Sequence, residues 1–153
     1  MSDVAARPEC LPEFLRELGV GDGRLDDVER FRLILEDANS RMNLVGASTL
    51  ADFWRRHFLD SAQLLALAPT ARHWADLGSG AGFPGLVLAI LLKEAAGTQI
   101  HLVESVAKRA RFLEEVVKRR ASVGGCARNL LRRGGLMMVS RSGVPGHRHT
   151  RLK

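Results

Sequence analysis

The residues best placed to do chemistry run from Asp76 to Gly85, reading Asp-Leu-Gly-Ser-Gly-Ala-Gly-Phe-Pro-Gly. Glycines at 78, 80, 82 and 85 remove Cβ atoms where a backbone must turn sharply and let a ligand come close. The short run His73-Trp74-Ala75 precedes the loop, and an apolar helical pattern from Leu86 to Leu92 follows it. Strand, glycine loop and helix in that order form the setting of a nucleotide-type cofactor, because the helix N-terminus offers unpaired N–H groups to polar ligand atoms. Pro84 suits a first helical turn, where its missing N–H is no loss. A second acid, Glu104, closes the run Gln99-Ile100-His101-Leu102-Val103 and lies 22 residues after Gly82. A carboxylate at that strand end is placed to accept hydrogen bonds from ribose hydroxyls.

Gly80 to Gly85 matches the dinucleotide pattern G-x-G-x-x-G, a weak signal by itself. The fuller pattern is acidic-x-Gly-x-Gly-x-Gly, with Asp76 two residues ahead of Gly78. It resembles motif I of S-adenosylmethionine-dependent methyltransferases, whose cofactor carries no pyrophosphate. His57 and Asp60, three apart, share one face of a predicted helix and suit an acid–base or metal pair. No third ligand accompanies them, and a hydrogen-bonded pair tying helix to sheet is the plainer reading. Cys10 and Cys126 lie far apart without ligand spacing and read as free thiols.

The elements that must position these residues fall into two blocks. Helical periodicity predicts a short helix over 12–18, a second to about Met42 capped by Asp26 or Asp27, and a third from about Leu50 to Leu67. Val28, Phe31, Leu35, Ala38 and Met42 form the apolar face of the second. From His73 the pattern becomes strand 73–77, loop, helix 84–96 stopped by Gly97, strand 99–104 and helix 105–120 capped by Ser105. Val106, Ala110, Leu113 and Val117 are the expected buried stripe of that last helix, and its basic residues its solvated face. The order predicts an α/β domain: residues 1–70 as an N-terminal helical extension, 71–120 as the first half of a Rossmann-like sheet, and 121–153 as a poorly ordered basic tail. Within the tail, only Leu136-Met137-Met138-Val139 reads as a strand.

The 153 residues fit one domain, with 46% hydrophobic and 26% charged side chains. No apolar run approaches the roughly 18 residues of a membrane span, and the N-terminus lacks a signal-peptide pattern, so a cytoplasmic location is expected. The net charge of +6 is unevenly placed: all 17 acids lie in residues 1–120, while residues 121–153 carry seven basic residues and no acid. A basic tail can grip phosphates. It lacks the aromatic residues that would stack on bases.

Helical prefix and glycine loop together resemble the bacterial small-subunit ribosomal RNA guanine-N7 methyltransferase family, also called the RsmG or glucose-inhibited division protein B family. The matching pieces are Asn43-Leu44-Val45, Arg56-His57-Phe58-Leu59-Asp60-Ser61, Asp76 through Gly85, and Val103-Glu104-Ser105 with Lys108-Arg109. The resemblance implies a class I methyltransferase fold, S-adenosyl-L-methionine as cofactor, small-subunit ribosomal RNA as partner, and neither metal nor membrane. It implies that Gly78 and Phe83 line the cofactor, that Gly80 and Gly82 shape the turn beside Asp76, that Glu104 holds the ribose, and that His57 and Asp60 lie near the cleft. It ends after about Arg120, where the family continues with further strands. A frameshift near residues 120–122 is the expected cause, and translation of the other two reading frames downstream tests it. Two other readings stay open: a dinucleotide-binding oxidoreductase, and a non-enzymatic RNA-binding fragment using the basic tail.

Overall fold

A computed structural model describes residues 6–21, 23–119, 129–133 and 136–140. Helix α1 (Leu11–Glu17) leads into α2 (Arg24–Met42), whose Val28, Phe31, Leu35 and Ala38 are buried at the predicted spacing. Gly23, with no side-chain cap, precedes α2. Asp26 and Asp27 therefore do not cap; they lie in the first turn, where the helix dipole favours acids. Asn43 ends the helix in the left-handed conformation (φ 49°), and the Asn39 side chain accepts the Val45 N–H at 2.9 Å.

The single helix predicted over 50–67 is broken. It consists of α3 (Ala47–Ala51), a π-helical turn (Trp54–Leu59), α4 (Asp60–Ala62) and α5 (Leu64–Leu67). A π turn accommodates one residue more than an α turn. Phe53, Trp54 and Phe58 are all buried around it, while Arg55 and Arg56 remain exposed.

Strand β1 (His73–Leu77), helix α6 (Gly85–Leu91), strand β2 (Gln99–Glu104) and helix α7 (Ala107–Lys118) follow. All seven residues of α6 are buried, against the sheet, α2 and α4. α6 stops five residues short of its predicted end. Just beyond it Lys93 reaches buried Asp27 and Glu94 pairs with Arg24, tying the turn to the start of α2. α7 begins after Val106 rather than at a Ser105 cap. Its buried stripe is Ala110, Phe112, Leu113, Val116 and Val117; Val106, expected there, is 47% exposed.

β1 and β2 pair in parallel, His73 opposite Gln99 and Leu77 opposite Val103. Strands β3 (Asn129–Arg133) and β4 (Leu136–Ser140) pair antiparallel, and β4 adds antiparallel to β2, giving the sheet order β1-β2-β4-β3. β4 covers the predicted strand at 136–139, whereas β3 was not expected. The rest of the predicted tail lies outside the described residues.

β1 thus forms a sheet edge among the described residues. On β2, Ile100, Leu102 and Glu104 are buried on the α6 side. On β1, Trp74 and Asp76 are half-buried on that side, and His73, Ala75 and Leu77 are exposed on the other. One core joins the helical layer to the sheet, through fully buried Phe31, Phe53, Phe58, Phe112, Leu86 and Leu102. None of the described helices is long and apolar enough to cross a membrane.

Candidate active site

The glycine loop hangs from the C-terminal ends of both parallel strands. The N–H groups of Gly78 and Ser79 both donate to the Val103 carbonyl, at 2.8 and 3.0 Å. Ser79 is buried, and its hydroxyl donates to the Asp76 carbonyl at 2.9 Å while accepting the Val103 N–H at 3.0 Å. Sequence reasoning missed Ser79. The available signal was that it is the one hydroxyl in the loop, flanked by glycines that give its side chain room.

Two carboxylates hold the loop. Asp76 Oδ2 accepts the N–H of Gly85, the first residue of α6, at 2.9 Å. Glu104 is buried and uses both oxygens: Oε2 accepts the Gly80 N–H and Oε1 the Val106 N–H, each at 2.8 Å. Glu104 therefore ties the loop to Val106, the residue that precedes α7, and the expected Ser105 cap is not formed. Burial raises the Asp76 pKa above the ordinary carboxylate value and nearby Glu104 pushes the same way, while hydrogen bonds from Gly85 and Ser79 oppose them.

Gly82 and Gly85 are required by different constraints. Gly82 sits at φ +99°, and a Cβ there would come within 2.3 Å of Leu86 Cδ1. A Cβ on Gly85 would lie 2.1 Å from Leu102 Cδ2 and 2.6 Å from Asp76 Oδ2, so this glycine lets α6 close on the sheet. Gly78 and Gly80 complete the turn with positive φ of 80° and 55°.

Phe83 packs against the helical layer. Its ring stacks on His57, with centroids 4.5 Å apart and planes 18° from parallel, and meets Phe31 at 5.5 Å and Phe53 at 6.0 Å. The aromatic cluster of the helical layer draws in this ring, the loop's one large side chain. The peptide bond from Phe83 to Pro84 is cis, and Pro84 immediately precedes α6 rather than starting it.

His57 is half-buried in the π turn, and burial pushes its pKa below the ordinary imidazole value, against the pull of Asp60 and Asp52. Its Nε2 is buried without a hydrogen-bond partner, and Asp60 is exposed. The expected His57–Asp60 hydrogen bond is not formed, because the π turn ends between the two residues and changes the angular spacing assumed for an α-helix. The structure thus gathers Asp76, Gly78, Gly80, Gly82 and Glu104 around one turn, brings His57 behind it through Phe83, and leaves Asp60 outside. Beside the loop, a cleft of about 200 Å³ lies between Leu64, Trp74, Asp76, Pro84, Leu88 and Ile100. Among the described residues, no group of three or more His, Cys, Asp or Glu side chains is arranged to hold a metal.

Comparison with known proteins gives consistent matches. The family described as rRNA small subunit methyltransferase G matches residues 24–123, three residues past the expected end of the resemblance. A protein named ribosomal RNA small subunit methyltransferase G from Caulobacter vibrioides (strain NA1000 / CB15N) is 54% identical over 119 residues, which cover 76% of this chain and 55% of the relative. Proteins of the same name from Caulobacter sp. (strain K31) and Bradyrhizobium diazoefficiens are 58% and 50% identical, over 69% and 67% of this chain and 48% and 38% of their own lengths. The chain spans about half the length, or less, of these curated relatives. No solved structure matches it.

Proposed function

The chain belongs to the rRNA small subunit methyltransferase G family, and from that premise we propose that its glycine loop binds S-adenosyl-L-methionine for methyl transfer to N7 of a guanine in small-subunit ribosomal RNA. The observation that carries the cofactor reading is the Glu104 carboxylate resting on the Gly80 N–H, with Asp76 at the other end of the same loop. A dinucleotide loop leaves its N–H groups free for a pyrophosphate. This loop has given one of them to a carboxylate, and a pyrophosphate would face two acids. The same pair favours a ligand with a positive centre and hydroxyl groups. Glu104 uses only part of its acceptor capacity on Gly80 and Val106, so ribose hydroxyls can share it.

S-adenosyl-L-methionine supplies the methyl group on a positively charged sulfur. N7 of guanine already carries a lone pair, so the protein needs no general base, and its contribution is alignment. Asp76 and Ser79 support this role by fixing the loop to the strand ends, and Gly82 and Gly85 by letting α6 approach. A base presented out of a stack suits such a site. RNA as substrate is supported by charge placement on α7. The basic residues of α2 form ion pairs with nearby acids, as Arg32 does with Glu29 and Glu36 and Arg41 with Asp37. Among the described residues, no ion pair engages Lys108, Arg109 or Arg111 beside Glu104, leaving them for phosphates. A ribosomal RNA substrate carries with it a cytoplasmic location as part of this reading.

Calorimetric titration of the purified chain with S-adenosyl-L-methionine and with NADH tests the reading. Binding of the first and not the second is expected. The reverse order refutes it, as does retention of S-adenosyl-L-methionine affinity in Glu104→Ala.

A further inference from the structure

We infer that His57 is a positioning residue for the glycine loop, holding Ser79 to Gly85 against the helical layer through its stack on Phe83. The loop is fixed on its sheet side by Ser79, by Asp76 to the Gly85 N–H, and by Glu104 to the Gly80 N–H. On its other side Phe83 is its one large side chain, and that ring lies among Phe31, Phe53 and His57. These three contacts differ in kind. Phe31 and Phe53 are fully buried core residues that meet Phe83 at a tilt or edge-on, whereas His57 is half-buried and nearly parallel to it at 4.5 Å. An offset parallel stack holds a ring's position and plane more closely than bulk apolar contact does.

The local backbone fits this role. His57 sits in the one π-helical turn among the described residues, which breaks what would otherwise be a continuous helix and turns the imidazole toward the loop. π turns of this type concentrate at functional sites. The hydrogen bonds of His57 do not explain its placement, since Nε2 is buried with no partner and Asp60 makes no bond to it. What the side chain does make is ring contact, stacked on Phe83 at 4.5 Å and tilted against Phe53 at 6.1 Å. After Phe83 and Pro84 the chain enters α6, whose first N–H is bound by Asp76, so displacement of the ring is transmitted to the residue on which Asp76 acts.

The inference deepens the cofactor-loop reading and rests on it, but its central test is the order of the ligand-free loop, which is independent of the cofactor's identity. Amide hydrogen exchange is followed in the full 153-residue chain and in His57→Ala, His57→Leu and His57→Phe. Loss of the stack in the alanine and leucine variants is expected to speed exchange at Gly82, Gly85 and Leu86 about five- to ten-fold, within the roughly 2- to 13-fold that one aromatic pair provides. Amides of Leu35 in α2 and Leu102 in β2 should keep their rates, and phenylalanine should restore the loop to within about two-fold. Unchanged loop exchange in the leucine variant overturns the inference. So does a uniform rise across α2 and β2, or a phenylalanine variant that behaves like leucine. The leucine and phenylalanine variants keep the side-chain bulk, so they decide the matter even where alanine prevents folding. Titration with S-adenosyl-L-methionine on the same proteins separates the two claims: a wild-type chain that fails to bind it while showing this exchange pattern counts against the cofactor and not against His57.

Discussion

The two faces of the sheet at β1 are built to different standards. On the α6 side, Trp74 and Asp76 lie under a helix with every residue buried, and Ile100, Leu102 and Glu104 continue that surface on β2. On the other side, His73, Ala75 and Leu77 are exposed, Leu77 to 77%, and the outer edge of β1 has no strand partner among the described residues. Parallel strands are ordinarily covered on both faces. The residues that hold the glycine loop all belong to the covered face or to the strand ends. A loop can therefore be fully braced from one side of a sheet while the surface opposite it is only a bare strand face.

Substitutions on the two faces test that contrast. The largest effect is expected at Gly85 on the covered face, where even a methyl group would overlap Leu102 and Asp76. Gly85→Val should cost about 3 kcal/mol or more by urea unfolding, and a loss below about 1 kcal/mol would mean α6 sits more loosely on the sheet than described. Next, Glu104→Ala leaves the Gly80 and Val106 N–H groups without their acceptor and should cost about 1–3 kcal/mol by the same measurement, together with cofactor affinity.

Asp76→Asn is expected to be smaller and to depend on pH. The folded-state pKa of Asp76 is raised, first by burial and then by Glu104, so the ionised form is disfavoured in the fold. That penalty is absent below the unfolded value of about 3.9, grows as pH rises through it, and is complete above the folded value. The asparagine variant should therefore be slightly more stable than wild type at pH 7, by less than about 1 kcal/mol for a half-exposed, screened group, and should lose the advantage below about pH 4. Thermal melts across that range check the sign. The smallest effect is expected on the bare face: Leu77→Thr should shift stability by no more than about 0.5 kcal/mol. A cost above 1 kcal/mol on the order of a core truncation would show that Leu77 is covered in solution and would dissolve the contrast.

The covered side was largely legible in the sequence. The α2 face came directly from its three-and-four spacing, and both parallel strands fell at their predicted positions because each is a short apolar run beside a glycine or an acid. The breaks were less legible. The π turn follows from the demand to bury Phe53, Trp54 and Phe58 together, and α6 ends early where Lys93 and Glu94 find Asp27 and Arg24 at the start of α2. Both depend on partners distant in the chain, and local periodicity carries no record of them. β3 escaped notice because Asn129-Leu130-Leu131-Arg132-Arg133 shows no strict alternation.

The sequence by itself determined the glycine loop, its two acids and the family they indicate, because backbone that must turn tightly beside a ligand restricts the residue types allowed there. Only the tertiary structure decided how those parts are used. It gave Glu104 to the Gly80 and Val106 N–H groups, stacked Phe83 on His57, and separated His57 from Asp60. The physical reason is the same in each case. A carboxylate or a ring takes the nearest unpaired donor or open face that packing brings to it, and packing joins residues far apart in the chain.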